Sequence, residues 1–295
     1  MEYPLVTVII ATYRRQDSLR KAIESVKNQT YKNIEIIVVD DNGDFKWSKE
    51  VVEVLGDYNN VKYIRNSKNL GSAKSRNIGI KAANGKYITF LDDDDIYLPY
   101  KVENQLISMM EVNADYGITD LMIFDENEKL IEIRKRGYVE SMELSALMRY
   151  HILYHMTGTD TFMFKTEYIK KIGGFKGIDI GDEFYLMMDA INSGGRFVYT
   201  KACDVKAYMH TGESSGLSSG QKKIDGEMHL YDEKMKYYHL LTKRDIDYVD
   251  MRHYAVIAFA ELRRGNYWGF FKNSLRSFFK SPMNCMNLLV GRKKS

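Results

Sequence analysis

Residues 87–99 read YITFLDDDDIYLP, with Asp92, Asp93, Asp94 and Asp95 set between two apolar stretches. Adjacent carboxylates repel one another, and a like charge disfavours ionisation of its neighbour. A cation shared with a polyanionic ligand would make such a run favourable, because carboxylate oxygens suit hard divalent ions. A second acidic pair, Asp40 and Asp41, closes the apolar run IEIIVVD, and a third, Asp182 and Glu183, precedes FYLMM.

These side chains need elements to position them. LVTVIIA (5–11) is short, apolar and rich in β-branched residues, the pattern of a strand buried on both faces. A helical stretch follows from about Asp17, with Leu19, Ala22, Ile23 and Val26 on one face. IEIIVVD (34–40), VKYIRN and KYITFL read as further strands, separated by the helical stretches KEVVEVLGDY and SAKSRNIGIKAA, the latter ending at Asn84-Gly85. Strand–helix alternation with short links predicts an α/β fold with a mostly parallel sheet flanked by helices. Ligands of such sheets bind beyond the C-terminal ends of the strands. TYRRQD, DDNGD and DDDDIYLP then share one edge. After residue 115, YGITDLMIF, KLIEIR, DTFMFK and RFVYT read as strands among helices near 141–150 and 183–193, and TGESSGLSSGQKK (211–223) reads as a Gly/Ser-rich loop.

Composition bounds the reading. The 295 residues are 44% hydrophobic, enough for a packed core. Two distant cysteines, Cys203 and Cys285, offer neither a disulfide framework nor a CxxC metal site. The first residues lack the basic segment and small-residue cleavage site of a signal peptide, and no stretch approaches the ~20 apolar residues of a membrane span. The expectation is a cytoplasmic protein. The net charge of +3 hides an asymmetry: Leu262–Ser295 holds eight Lys/Arg and no Asp/Glu, leaving 35 Lys/Arg against 40 Asp/Glu before it.

VTVIIATYRR, IEIIVVDDNGD, NLGSAKSRNIGIKAANGKYITFLDDDDIYLP and YMHTGESSG together resemble family 2 glycosyltransferases of the GT-A fold, with the spore-coat polysaccharide type a near relative in pattern. The resemblance covers roughly residues 4 to 215. It implies inverting transfer of a sugar from a nucleotide-diphosphate donor, a UDP-sugar first of all, with Mn2+ or Mg2+. The acceptor expected is a hydroxyl of a glycan or a lipid-linked sugar in surface polysaccharide biosynthesis, and nucleic acid is not an expected partner. Residues 1–223 would form the GT-A catalytic domain, with a nucleotide-binding half to about 115 and an acceptor-side half to 223, and residues 224–295 a basic helical extension.

The chemistry supports what the resemblance implies, because a diphosphate leaving group needs its charge neutralised. The family's D-x-D triplet maps onto Asp92-Asp93-Asp94, with Asp94 on the metal and Asp92 and Asp93 on the ribose side or supporting it. Asp41 would accept the uracil N–H and Asp40 support its loop. Ala11, Thr12, Tyr13 and Arg14 would line the base pocket, with Tyr13 stacked on the pyrimidine. Lys74 and Arg76 would reach the phosphates or the base, and Asn77 steady the loop. His210 would ligate the metal or touch the diphosphate, and the Gly/Ser-rich loop after it would close over the donor. The family's base opens a helix running into L-x-x-R. Here both Asp182 and Glu183 fit, with a lean to Glu183, and Asp189 stands near the place of the expected arginine. Asp120 and Asp160 fall in acceptor-side segments.

Two other classes compete. A sugar nucleotidyltransferase would open with a Gly-rich phosphate loop, and ATYRRQD has no glycine. A non-catalytic sugar-nucleotide or glycan-binding module would have lost the D-x-D or the base, and the carboxylates are present. In the tail, Trp268, Phe271, Leu275 and Phe278 make a stripe at helical spacing, flanked by Arg263, Arg264, Lys272, Arg276 and Lys280. The stripe fits an interfacial helix on an anionic membrane, or packing onto the catalytic domain or a second copy as a homodimer.

Overall fold

A computed structural model describes residues 3–178, 181–209 and 220–293. The first half follows the predicted alternation: β1 (Val6–Thr12), α1 (Gln16–Lys27), β2 (Ile34–Asp40), α2 (Phe45–Leu55), β3 (Val61–Arg65), α3 (Ser72–Ala82) and β4 (Tyr87–Asp92). Then come β5 (Ile96–Tyr97), α4 (Lys101–Glu111), β6 (Tyr116–Thr119), β7 (Leu121–Asp125), β8 (Leu130–Arg134), α5 (Leu144–Tyr154), β9 (Phe162–Lys165), α6 (Thr166–Lys171), α7 (Asp182–Asn192), β10 (Phe197–Thr200) and β11 (Val205–Met209). Four helices follow: α8 (Gly220–Met235), α9 (Lys243–Arg263), α10 (Tyr267–Lys280) and α11 (Pro282–Lys293).

A seven-stranded sheet runs in the order β10-β6-β9-β4-β1-β2-β3. It is parallel except for β9, which is antiparallel to both neighbours. Val8, Ile9, Ile10, Ile37, Val38, Ile88 and Phe90 are fully buried, as strands covered on both faces require. Helix α3 lies close on β1: a Cβ at Gly79 would meet the Ile9 side chain at 2.5 Å. That approach sets the helix that carries Arg76.

The segment YGITDLMIF, expected as one strand, breaks at Asp120 into β6 and β7, which belong to different sheets. The Asp120 carboxylate accepts from Tyr199 Oη at 2.7 Å and from the Arg136 N–H at 2.8 Å, so it anchors the crossing and is buried there. The second sheet, β5-β11-β7-β8, receives the chain straight after the aspartate run, because β5 pairs antiparallel with β11.

The chain divides into two units by internal packing. One takes residues up to Leu144, Met156–Ile178 and Asp182–Met209, and holds both sheets; the other takes Ser145–His155 and the described residues after Met209. Helix α5 thus goes with the C-terminal helices, a partition the linear sequence does not suggest. Arg149 makes the link within that second unit, pairing with Asp245 at 2.6 Å. Thr242 and Asp245 close a reciprocal cap at the start of α9. Among the described residues no helix is long and apolar enough to cross a membrane.

Candidate active site

The register of the sheet brings the predicted loops together. Ala11 of β1 sits between Val39 of β2 and Asp92 of β4, so the three strand ends open onto one edge. The aspartate run turns tightly there, with the Asp95 N–H on the Asp92 carbonyl at 3.1 Å. The turn sets one carboxylate apart from the other three. Among the described residues, Asp92, Asp94 and Asp95 each offer a carboxylate oxygen, all within 4.8 Å of one another. Three hard oxygen donors at that spacing fit Mg2+ or Mn2+. Asp93 points elsewhere: its Oδ2 accepts from Thr12 Oγ1 at 2.8 Å and from the Tyr13 N–H at 3.1 Å. Burial, and then the neighbouring Asp94 charge, push the Asp93 carboxyl up to about 6, against the pull of Arg15.

The loop after β2 is held just as firmly. Asp41 hands its N–H to the Thr12 carbonyl at 2.9 Å, and its carboxylate accepts from Asn66 Nδ2, the Leu70 N–H and the Gly71 N–H, each at 2.8 Å. Gly71 has φ of +86°, a conformation that favours glycine. Asp41 therefore ties the end of β2 to the start of α3, and its Oδ2 holds one donor, with acceptor capacity remaining. Asp40 is engaged through both oxygens: Oδ1 takes the Asn42 N–H and Nδ2, and Oδ2 takes Tyr63 Oη. The Tyr13 ring is 41% exposed, with the Arg14 guanidinium 5.0 Å from its centroid and 5.7 Å from that of Trp47. Arg14 holds φ of +55°, and its N–H is fixed by Asn42 Oδ1 at 2.8 Å.

Arg76 is buried and reaches Asp92 with Nη2 at 2.5 Å, its guanidinium 5.4 Å from the Phe175 ring centroid. Burial works against its charge, but Asp92 outweighs it, with Asp160 and Glu183 adding to the pull. Lys74, one half-turn earlier on α3, is exposed. Asn77 brackets Phe175, donating to its carbonyl at 2.7 Å and accepting its N–H at 2.9 Å.

Glu183 and Asp182 separate on geometry. Asp182 is buried at the start of α7 and accepts the Ile178 N–H at 2.8 Å, holding the loop that leads into the helix. Glu183 is half-buried, and its charge acts on Arg76. Asp189, in the place of the family's arginine, pairs with Lys176 at 2.9 Å. His210 lies outside the described residues.

Three further residues take part in the arrangement: the linear reading assigns no role to Arg15 and Asp95, and to Asp160 only a place in an acceptor-side segment. Arg15 pairs with Asp93 at 3.1 Å and Asp94 at 2.5 Å. Asp95 joins the metal-capable cluster and also accepts the Tyr208 N–H at 2.8 Å, fastening the turn to β11. Asp160 lies under the aspartate turn: its Oδ1 accepts the Asp92 N–H at 2.7 Å. Burial, and then the Asp160 charge, raises Asp95 well above the usual carboxylate range, while burial, and then the Asp92 charge, pushes Asp160 up to about 7 against the hydrogen bond it shares with Asp95. The fourth aspartate of the run was a visible signal for Asp95; the sequence placed Asp160 in an acceptor-side segment but not against the aspartate turn.

Comparisons with known proteins agree with this geometry. The model of glycosyl transferase family 2 matches residues 7–173. An uncharacterized glycosyltransferase of Methanocaldococcus jannaschii is 35% identical over 58% of this chain and 59% of its own. The UDP-Glc:alpha-D-GlcNAc-diphosphoundecaprenol beta-1,3-glucosyltransferase WfaP of Escherichia coli is 41% identical over 35% of this chain and 40% of its own. The chain thus spans well under two thirds of these relatives. Among solved structures, TarS (residues 1–349) of S. aureus with UDP-GlcNAc superposes with a TM-score of 0.62 at 16% identity, over 94% of this chain and 92% of that one. The mannosyltransferase PcManGT of Pyrobaculum calidifontis, with GDP-Man and Mn2+, gives 0.62 at 14% identity, over 99% and 80%. At that identity the likeness shows the fold, which is GT-A.

Proposed function

This chain belongs to glycosyltransferase family 2, and on that premise we propose that it transfers a sugar, with inversion, from a nucleotide-diphosphate donor to an acceptor hydroxyl. The observation that carries the proposal is the cluster of Asp92, Asp94 and Asp95 at one edge of a mostly parallel sheet, with Arg76 paired to Asp92, Tyr13 held by Asp93 and the Glu183 charge acting on Arg76.

In this reading Tyr13 stacks on the base and the Asp41 carboxylate receives a base N–H, within a loop already organised by Asn66 and Gly71. Asp93 stays with Thr12, Tyr13 and Arg15 and shapes the base–ribose wall. Asp94, with Asp92 and Asp95 beside it, would hold Mn2+ or Mg2+, which when bound supplies positive charge to the departing diphosphate. Arg76 keeps Asp92 oriented and adds a permanent positive charge near the leaving group. Lys74, exposed half a turn before Arg76 on α3, is a second cation proposed to reach the phosphates. Glu183 removes the acceptor proton from the side opposite the nucleotide, as inversion demands. His210 remains a proposed ligand or diphosphate contact.

A UDP-sugar is the proposed donor, supported by the nucleotide in the TarS complex, and a lipid-linked or glycan acceptor is supported by the lipid-diphosphate acceptor in the WfaP name. The test is a thermal-shift and turnover screen of UDP-, GDP- and dTDP-sugars with and without Mn2+. A UDP-sugar should raise the melting temperature only with metal present and release UDP when acceptor is added. Stabilisation by none of the three, with or without metal, would remove the reading.

A further inference from the structure

The tail beyond the family match carries a surface of its own. Helix α10 is 14 residues long, roughly 21 Å at 1.5 Å per residue. It packs on α9 through its small and polar side: Ser277 is buried and donates to the Met251 carbonyl at 2.9 Å, and Lys280 pairs with Asp250 at 2.7 Å. The opposite side is apolar and uncovered. Trp268 is 73% exposed, Phe271 53% and Phe279 76%, with Leu275 and Phe278 exposed between them. Such a stripe ordinarily faces a core; here the helix turns its polar side to its neighbour and its aromatic side outward, against the usual preference for burying large apolar groups.

The charges are arranged along that face. Lys272 and Arg276 are exposed on one flank of the stripe, one helical turn apart, and Arg276 lies 5.6 Å from the Tyr254 ring. Arg263 is exposed just before the helix, and Leu262–Ser295 contains no acidic residue. Met283 and Met286 of α11 add further exposed apolar surface. Aromatic and aliphatic groups on one face, with cations beside them and no acidic residue in the helix itself, complement a bilayer surface with negatively charged headgroups. Exposed apolar surface of this kind marks an interaction site rather than ordinary solvent-facing helix.

We propose that α10 is an interfacial helix by which the C-terminal unit rests on an anionic membrane. Trp268, Phe271, Leu275, Phe278 and Phe279 enter the headgroup boundary, and Lys272, Arg276 and Arg263 meet the anionic headgroups. The proposal does not depend on the donor or the acceptor, because the face lies in the unit outside the two sheets.

The test uses the full chain and vesicles free of any sugar acceptor. Wild-type protein should cosediment with vesicles of phosphatidylglycerol and phosphatidylcholine at low salt, at least about tenfold more than with phosphatidylcholine alone, and should release at high salt. Trp47 and Trp268 are the two tryptophans, so a Trp47→Phe background makes Trp268 the sole reporter. Its emission should shift to the blue on anionic vesicles and be quenched by brominated lipid. The exposed pair Trp268→Ala with Phe271→Ala should keep the melting temperature and lose binding, and Lys272→Glu with Arg276→Glu should lose it too. Undiminished vesicle binding by the folded alanine pair overturns the proposal. So does a wild-type chain indifferent to anionic lipid that instead self-associates through this face, with the alanine pair restoring the monomer.

Discussion

Arg15 Nη1 lies 2.5 Å from Asp94 Oδ2 and 3.1 Å from Asp93 Oδ1, so one guanidinium spans the two middle carboxylates of the aspartate run. The pairing neutralises charge where a divalent cation would otherwise do so. Asp94 thus has two claimants. The arginine is partly exposed, which limits the worth of the pair to about 1 kcal/mol. Arg15→Ala should therefore tighten binding of Mn2+ alone by roughly fivefold, read by calorimetric titration without nucleotide. Unchanged or weaker binding would mean that Arg15 does not compete.

Asp94→Asn should abolish metal-dependent stabilisation by UDP while leaving the fold intact, since asparagine keeps the shape and loses the charge. Turnover and UDP affinity equal to wild type would contradict the role given to Asp94.

The run should divide functionally as it does in space. Asp95→Asn keeps an acceptor for the Tyr208 N–H but removes a charge from the cluster, and should weaken Mn2+ by about tenfold or more. Asp93→Asn, whose side chain faces Thr12 and Tyr13, should leave Mn2+ affinity closer to wild type and weaken nucleotide binding instead. The reverse pattern in paired titrations would show that Asp93, not Asp95, completes the cluster.

Glu183→Gln should leave donor binding near normal and lower kcat by ~10²–10⁴-fold, the usual cost of losing a general base. Asp182→Asn should act on stability, through the Ile178 N–H it accepts. A kcat collapse confined to Asp182→Asn would move the base by one residue.

Lys101 is buried beneath the site, with Nζ 2.5 Å from Thr89 Oγ1 and 2.9 Å from Tyr97 Oη. Burial pushes its ammonium down to about 7 from the ordinary 10.5. The folded state then binds fewer protons than the unfolded one between about pH 7 and 10.5, so this group adds stability at high pH and loses it as pH falls toward 7. Lys101→Met removes the buried charge and should raise stability most at pH 6–7, with the gain shrinking toward pH 10. Each pH unit of that window is worth about 1.4 kcal/mol at most. Denaturation at pH 6 and pH 9.5 checks the sign; a gain that grows with pH would show that burial does not depress the lysine in the way described.

The linear sequence by itself determined a good deal. Its buried β-branched runs and strand–helix rhythm specified the first four strands and the edge they share, because apolar periodicity is a local property that packing only reinforces. The motifs that meet at that edge, from TYRR to DDDD, were legible for the same reason: strand ends and loops are read directly from where hydrophobic runs stop. What only the tertiary structure decided is direction and partnership. The divergence of Asp93 from Asp92, Asp94 and Asp95 depends on the tight turn between β4 and β5, two strands that belong to different sheets. Asp160 reached the turn, and α5 joined the C-terminal helices, through contacts between segments distant in the chain. The outward aromatic face of α10 was equally undecidable from spacing, since a 3.6-residue period shows that a helix has two faces but not which one its neighbour covers.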